Sequence, residues 1–231
     1  MTDERERIVR AYEGYRKSQA ADRWSLTNRG NLSALREREK ATRDLLQSHG
    51  WLPLGSRRIL EVGSGTGHEL ARLLQFGAAP QNLTGVDLIG DRVAEANRVF
   101  PKLKIKLGNA EHLDFADETF DLVMAITLFS SIADRAMALN VAHESVRVLK
   151  RGGGLLWYDF RYDNPRNPNV HGVSREAVHE LFPDLTGSVK AITLLPPLSR
   201  RLGRLTPAMY SILSFFPPLR THLLGLLIKP E

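Results

Sequence analysis

Three glycines at alternate positions, Gly63, Gly65 and Gly67, follow a short apolar run that carries a single acid, Ile59-Leu60-Glu61-Val62. The run reads as a buried strand, and Leu70, Leu73 and Leu74 beyond the glycines share one face of a helical pattern. Glycines at a strand-to-helix turn bend the chain sharply and admit a ligand where a Cβ would stand. A carboxylate at the tip of a buried strand needs a partner, so Glu61 weighs against a plain glycine-rich turn. A second apolar run, Leu83 to Val86, ends in Asp87, about where a βαβ unit holds an acid for ribose hydroxyls. A nicotinamide fingerprint would read G-x-G-x-x-G, whereas the spacing here is G-x-G-x-G with Glu61 before it.

Other candidates follow in chain order. Asn109, in Gly108-Asn109-Ala110-Glu111, turns the chain after a third short strand at 102–107. A fourth strand ends at Ile126-Thr127-Leu128-Phe129, and Thr127 and Ser130 lie at the carboxyl end of the sheet, where open α/β sheets bind ligands. A fifth, Leu155 to Phe160, contains Tyr158 and Asp159 and leads into a polar loop stiffened by two prolines. Arg161, Asn164, Asn167, Asn169 and His171 lie in that loop and, with Asp159, form a dense hydrogen-bonding set suited to a polyhydroxylated acceptor.

The glycine spacing with its preceding acid resembles motif I of the class I S-adenosylmethionine (SAM) methyltransferases. The resemblance implies a Rossmann-like α/β fold with a mostly parallel seven-stranded sheet, its last strand inserted antiparallel, and helices on both faces. It implies SAM as cofactor and S-adenosylhomocysteine as product, held by Glu61, Gly63, Ser64, Gly65, Gly67, Asp87, Leu88, Asn109, Ala110, Glu111 and Ile126, with Trp24 from the N-terminal region. Asn109 would take the adenine amino group. Tyr158-Asp159-Phe160 and the Asn-Pro segment after it resemble the branch found in bacterial surface-glycan biosynthesis clusters. That branch implies methyl transfer to a sugar hydroxyl. Thr127, Ser130, Tyr158, Arg161, Asn164, Asn167 and Asn169 would meet the acceptor, with His171 or Asp159 as base and His222 behind them. A methyltransferase acting on a natural product or a quinone-type lipid is the alternative, and a non-catalytic SAM-binding or RNA-associated module a further one. No metal is expected, because the fourth strand ends without an acid where cation-dependent relatives need one.

The elements that must position these residues are legible in outline. The chain has 231 residues, no cysteine and a formal net charge of +6. It is long enough for one α/β domain with a full core. The absence of cysteine and the charged start Met1-Thr2-Asp3-Glu4-Arg5 predict an intracellular, cytoplasmic enzyme without disulfides or thiolate metal sites. Helices are expected over about 4–20 and 32–48, so residues 1–50 read as a cap or lid on a SAM-binding domain at 51–231. Asp91 reads as a helix N-cap, and Lys150 to Gly154 as a helix end. Basic charge allows a nucleic acid partner, but no aromatic-basic motif accompanies it, so none is expected. Core packing is the first account of Met209 to Phe216, and a shallow membrane contact the second.

Overall fold

The computed structural model describes residues 2–17 and 25–231; Trp24 lies outside them. Two helices open the chain, α1 (Thr2–Lys17) and α2 (Arg29–Ser48). Then follow β1 (Ile59–Val62), α3 (His68–Arg72), β2 (Leu83–Asp87), α4 (Gly90–Val99), β3 (Lys104–Leu107), β4 (Phe120–Ile126), α5 (Arg135–Val148) and β5 (Leu149–Phe160). The chain ends with α6 (Arg175–Leu181), β6 (Thr186–Leu194), α7 (Pro196–Arg201), α8 (Thr206–Ser214) and β7 (Arg220–Ile228).

The seven strands form one sheet in the order β3-β2-β1-β4-β5-β7-β6. All neighbours are parallel except β7, which runs antiparallel between β5 and β6. The Rossmann-like architecture expected from the sequence is therefore present. Its strand order reverses between β1 and β4, so ligands belong in the crevice at the carboxyl ends of those strands.

Alternation along the strands sorts the side chains into two cores. Leu60, Val62, Val123, Leu155 and Trp157 pack with Val141, Ala142 and Val178 on the α5 and α6 side. Ile59, Leu122, Met124 and Leu156 pack with Leu46 of α2 and Leu70 and Leu73 on the other. By the same alternation Glu61 faces the α2 and α3 side, as does Tyr158, whereas Asp159 faces the α5 side. Residues adjacent in sequence are thus sent to opposite layers.

Some boundaries differ from expectation. Lys150 to Gly154 do not cap a helix: α5 ends at Val148, and Leu149 already pairs with Phe120 of β4. Gly153 has no room for a Cβ, since one would meet Lys150 O at 2.8 Å and Asp121 O at 3.0 Å. These glycines shape an irregular entry to β5, where tertiary strand pairing overrides the local helix-stop signal. Asp121 holds that entry, accepting from Arg58 N at 2.7 Å and Lys150 Nζ at 2.8 Å. Asp91 lies inside the first turn of α4, whose N-cap is Ile89, and its carboxylate pairs with Arg16.

Candidate functional site

The three glycines of the β1–α3 turn all have positive φ, at 72°, 53° and 78°. Each faces something different. A Cβ on Gly63 would meet Leu128 Cδ1 at 2.7 Å, and one on Gly67 would meet Ile105 Cδ1 of β3 at 2.5 Å. Gly67 therefore serves close packing of α3 against the sheet. A Cβ on Gly65 would run into the guanidinium of Arg92, the tip of a flexible side chain and not the core. Ser64 turns inward: it is buried, and a Cβ on Gly85 would meet its hydroxyl at 2.6 Å. The turn is tied to β2 by Gly63 N and Ser64 N, which donate to Val86 O at 2.8 and 3.0 Å.

Asp87 stands at the centre of this arrangement. One carboxylate oxygen accepts from Gly65 N at 2.7 Å and the other from Ile89 N at 2.9 Å. Arg92 approaches it at 3.8 Å and lies over the ring of Tyr12 from α1, 4.5 Å from its centroid. Asp87, Leu88, Gly63, Asn109, Ala110 and Thr127 line one cavity, together with Ile8, Tyr12 and Arg92. The cavity is narrow, about 60 Å³.

The next turn is built differently from the expectation. Asn109 Oδ1 accepts from Glu111 N at 3.1 Å, and Asn109 Nδ2 donates to Glu111 Oε2 at 3.3 Å. Its amide is used within its own turn. Glu111 in turn accepts from Arg5 Nη2 at 2.8 Å and from Asn140 at 3.1 Å. Burial raises the Glu111 carboxyl, but the bonds from Asn140, Arg5 and Asn109 outweigh it and hold the acid below its ordinary range. Glu111 thus anchors α1 over the cavity.

On the other face, Glu61 is enclosed completely, and its Oε2 has no hydrogen-bond partner. Burial pushes its carboxyl well up, the nearby Glu69 adds to this, and Arg38 opposes it. Arg38 of α2 pairs with Glu69 and lies 4.7 Å over the ring of Tyr158. Tyr158 bonds Thr193 at 3.0 Å, and burial raises its hydroxyl to about 12. Glu37 accepts from Thr193 N at 3.0 Å and from the Tyr210 hydroxyl at 2.8 Å. His222 stacks on Tyr158 with centroids 4.7 Å apart, and burial lowers its imidazole to about 3. Burial therefore favours its neutral form.

Sequence reasoning passed over Arg38, Glu37, Thr193 and Tyr210. A signal did exist: beside its apolar stripe of Ala41, Leu45 and Leu46, α2 carries an unbroken run of charges from Arg36 to Lys40. Thr193 also has φ 67° and Thr127 φ 49°, positions that non-glycine residues rarely occupy and that concentrate at functional sites.

The fourth- and fifth-strand ends do not bring His171 and Asp159 together as a pair. Asp159 is 1% exposed, and its oxygens accept from Ser130 N at 3.0 Å and Phe160 N at 2.8 Å. Burial raises its carboxyl to about 6 against those bonds. His171 is exposed, and its backbone N–H donates to Ser130 O at 2.8 Å. Asp159 and His171 therefore meet only through the Ser130 turn. Ile126 is buried in the α2-side core.

The asparagines of the polar loop are likewise engaged within the protein. Asn164 accepts from Arg166 N at 3.1 Å. Asn167 Nδ2 donates to the Tyr15 hydroxyl of α1 at 2.8 Å, and Asn167 Oδ1 accepts from it at 3.1 Å. Asn169 accepts from Arg7 at 3.2 Å. The Arg161 guanidinium lies over Tyr162, 4.3 Å from its centroid. The loop and α1 hold each other across the cavity.

The arrangement fits the cofactor implied by motif I on two observations. Glu61 offers a buried acid oxygen without a partner, beside a loop where the place of a Gly65 Cβ is taken by the movable Arg92 guanidinium. Asp87 offers a carboxylate at the cavity, on the far side of that loop.

Residues 60–157 match the family described as Methyltransferase domain. A demethylmenaquinone methyltransferase of Chlorobaculum parvum is 34% identical over 130 residues, 56% of this chain and 51% of the relative. A phthiotriol/phenolphthiotriol dimycocerosates methyltransferase of Mycobacterium ulcerans is 34% identical over 113 residues, 48% of this chain and 40% of the relative. The matched stretch spans about half the length of these curated relatives or less. Among solved structures, a SAM-dependent methyltransferase of Thermotoga maritima aligns over 96% of this chain and 99% of its own, with TM-score 0.62 and 19% identity. One from Methanosarcina mazei aligns over 80% and 98%, with TM-score 0.58 and 18% identity. The structural likenesses give the fold.

Proposed function

We propose that this chain is a class I SAM-dependent methyltransferase whose acceptor is a small apolar molecule of quinone or lipid type. The observation that carries the cofactor assignment is the partnerless, buried Glu61 oxygen beside the Gly63–Gly67 turn, with Asp87 at the other end. Glu61 would hold the ammonium end, the Gly65 backbone the middle and Asp87 the ribose. When bound, SAM supplies an electrophilic methyl group on a sulfonium. The protein's part is to hold acceptor and donor in line, which removes much of the entropic barrier. A cofactor laid along the loop takes the place of the Arg92 guanidinium, so α1, held by Arg5–Glu111 and Tyr15–Asn167, is assigned as a lid. His171, exposed on the loop that Ser130 anchors, is assigned as the candidate proton acceptor, and Asp159 as the residue that positions that turn.

The relatives named for menaquinone and dimycocerosate substrates favour the apolar acceptor over a sugar. Supporting this, Asn164, Asn167 and Asn169 spend their side-chain bonds on the protein and leave less for sugar hydroxyls. The test is formation of S-adenosylhomocysteine with a demethylated quinone and, separately, with sugar nucleotides. Turnover on the quinone is expected. Turnover on the sugars alone would overturn the acceptor assignment and leave the cofactor assignment standing.

Asp87→Ala is expected to weaken SAM binding by about 1–3 kcal/mol, the cost of removing a charged acceptor and two loop-ordering bonds. That is a rise in Kd of roughly 5- to 150-fold by calorimetry. An unchanged Kd would remove Asp87 from the cofactor site.

A further inference from the structure

Helix α8 is inside out. Its buried positions, spaced by four, are Thr206, Tyr210 and Ser214. The Thr206 hydroxyl donates to Gly203 O at 2.8 Å, Tyr210 donates to Glu37, and Ser214 O accepts from Arg220. Thr206, Tyr210 and Ser214 therefore face the protein, while Ser211 is exposed. Its apolar residues and those beside it face outward: Leu205 is 66% exposed, Ile212 53%, Phe215 80% and Phe216 57%. A helix on a water-facing surface has the opposite arrangement.

Two further observations say what covers this face. The first is charge. From 185 to 230 the chain has no aspartate or glutamate, and Arg200, Arg201 and Arg204 lie just before α8. Arg201 and Arg204 are exposed, one to four residues before Leu205. The second is place. α7, α8 and the Pro217–Leu219 turn connect the end of β6 to the start of β7, at the carboxyl edge of the sheet. That is the edge where β1, β2 and β4 end beside the cofactor cavity.

From these we infer that the α8 face is a docking surface for a bilayer containing anionic phospholipid. Adjacent phenylalanines, followed by two prolines, form an apolar tip that enters the headgroup boundary, and the arginines beside it meet the phosphates. Among the described residues no helix is long and apolar enough to cross a membrane, so the contact is with the surface. A protein partner suits the patch less well. Four apolar side chains on one short helix and its flanks fall short of the roughly 20–30 residues a side of a standard interface. Docking itself requires no methyl transfer. What it serves, delivery of an apolar acceptor to the site edge, rests on the function proposed above.

The experiment is sedimentation of the full chain with vesicles of phosphatidylcholine plus phosphatidylglycerol, and with phosphatidylcholine alone. Binding to the anionic vesicles is expected, weakening as salt is added. F215S/F216S should lower partitioning about tenfold or more, with the thermal midpoint and SAM affinity unchanged because both rings are exposed. R201E/R204E should remove the preference for anionic vesicles. No binding to either vesicle would overturn the inference, as would equal binding by F215S/F216S. If that variant instead abolished self-association seen by sedimentation velocity, a second copy covers the face and the membrane assignment fails. None of these readouts uses turnover, so failure of the methyltransferase reading would show separately, in SAM binding.

Discussion

Replacing Gly65 by valine is expected to abolish SAM binding while leaving the protein folded. Gly65 has φ 53°, a conformation that costs an L residue about 1–2 kcal/mol. The added Cβ meets only the Arg92 tip, which moves aside cheaply. The volume it fills is the space a cofactor needs along the loop, so the expected loss exceeds ~100-fold in Kd. Calorimetry with SAM and a thermal melt on the same sample read the two effects apart. Gly67→Val is the contrast. Its side chain would enter Ile105 and Phe100 in the core, so the melt should fall sharply. A Gly65→Val protein that still binds SAM with wild-type affinity would show that the cofactor does not run over this turn.

Asp159→Ala is expected to cost roughly 2–5 kcal/mol of stability, since it leaves the Ser130 and Phe160 N–H groups buried without an acceptor. Chemical denaturation measures this. A loss below the level of an ordinary surface substitution would mean that the turn reorganises and that Asp159 does not position it. The same residue has a pH signature. Its folded pKa, about 6, lies above the ordinary 3.8 because burial disfavours the charged form. The folded state therefore binds the proton more tightly than the unfolded one. The stabilising contribution is fully present below about pH 4 and is lost as pH rises through 6, by at most about 3 kcal/mol. Asp159→Asn removes this titration. Its stability should fall less steeply between pH 4 and 6 than that of the native protein, in which Glu61 also contributes a slope of the same sign. Parallel curves for the two proteins would show that Asp159 is not the titrating group.

These two residues also mark how far the sequence reaches. The type and spacing of Glu61, the three glycines and Asp87 point to the strand-turn-helix-strand unit that the structure contains. Each of those roles is local: a strand tip, a tight turn and the tip of the next strand lie within one βαβ unit. The alternation that buries strands on both faces is also a short-range pattern, and it specifies a parallel sheet with two cores. Element ends were less legible, as Lys150 to Gly154 show, because strand pairing outweighs a local helix-stop signal.

What tertiary structure alone decided is where long-range partners spend their hydrogen bonds. Asn167 and Asn169 have the side chains a ligand site needs, but Tyr15 and Arg7 reach them from distant stretches of chain. Asp159 and Tyr158 are neighbours in sequence and belong to opposite faces of the sheet. The strand pleat sends one to the Ser130 turn and the other to Arg38. Arg38 and Glu37 meet Tyr158, Thr193 and Tyr210 only because α2 lays a polar flank against the ends of β5 and β6. A residue type announces which bonds it can make. Only the packed chain determines whether a protein group has already taken them, because a buried donor or acceptor pairs with the nearest available group, whatever its distance in sequence.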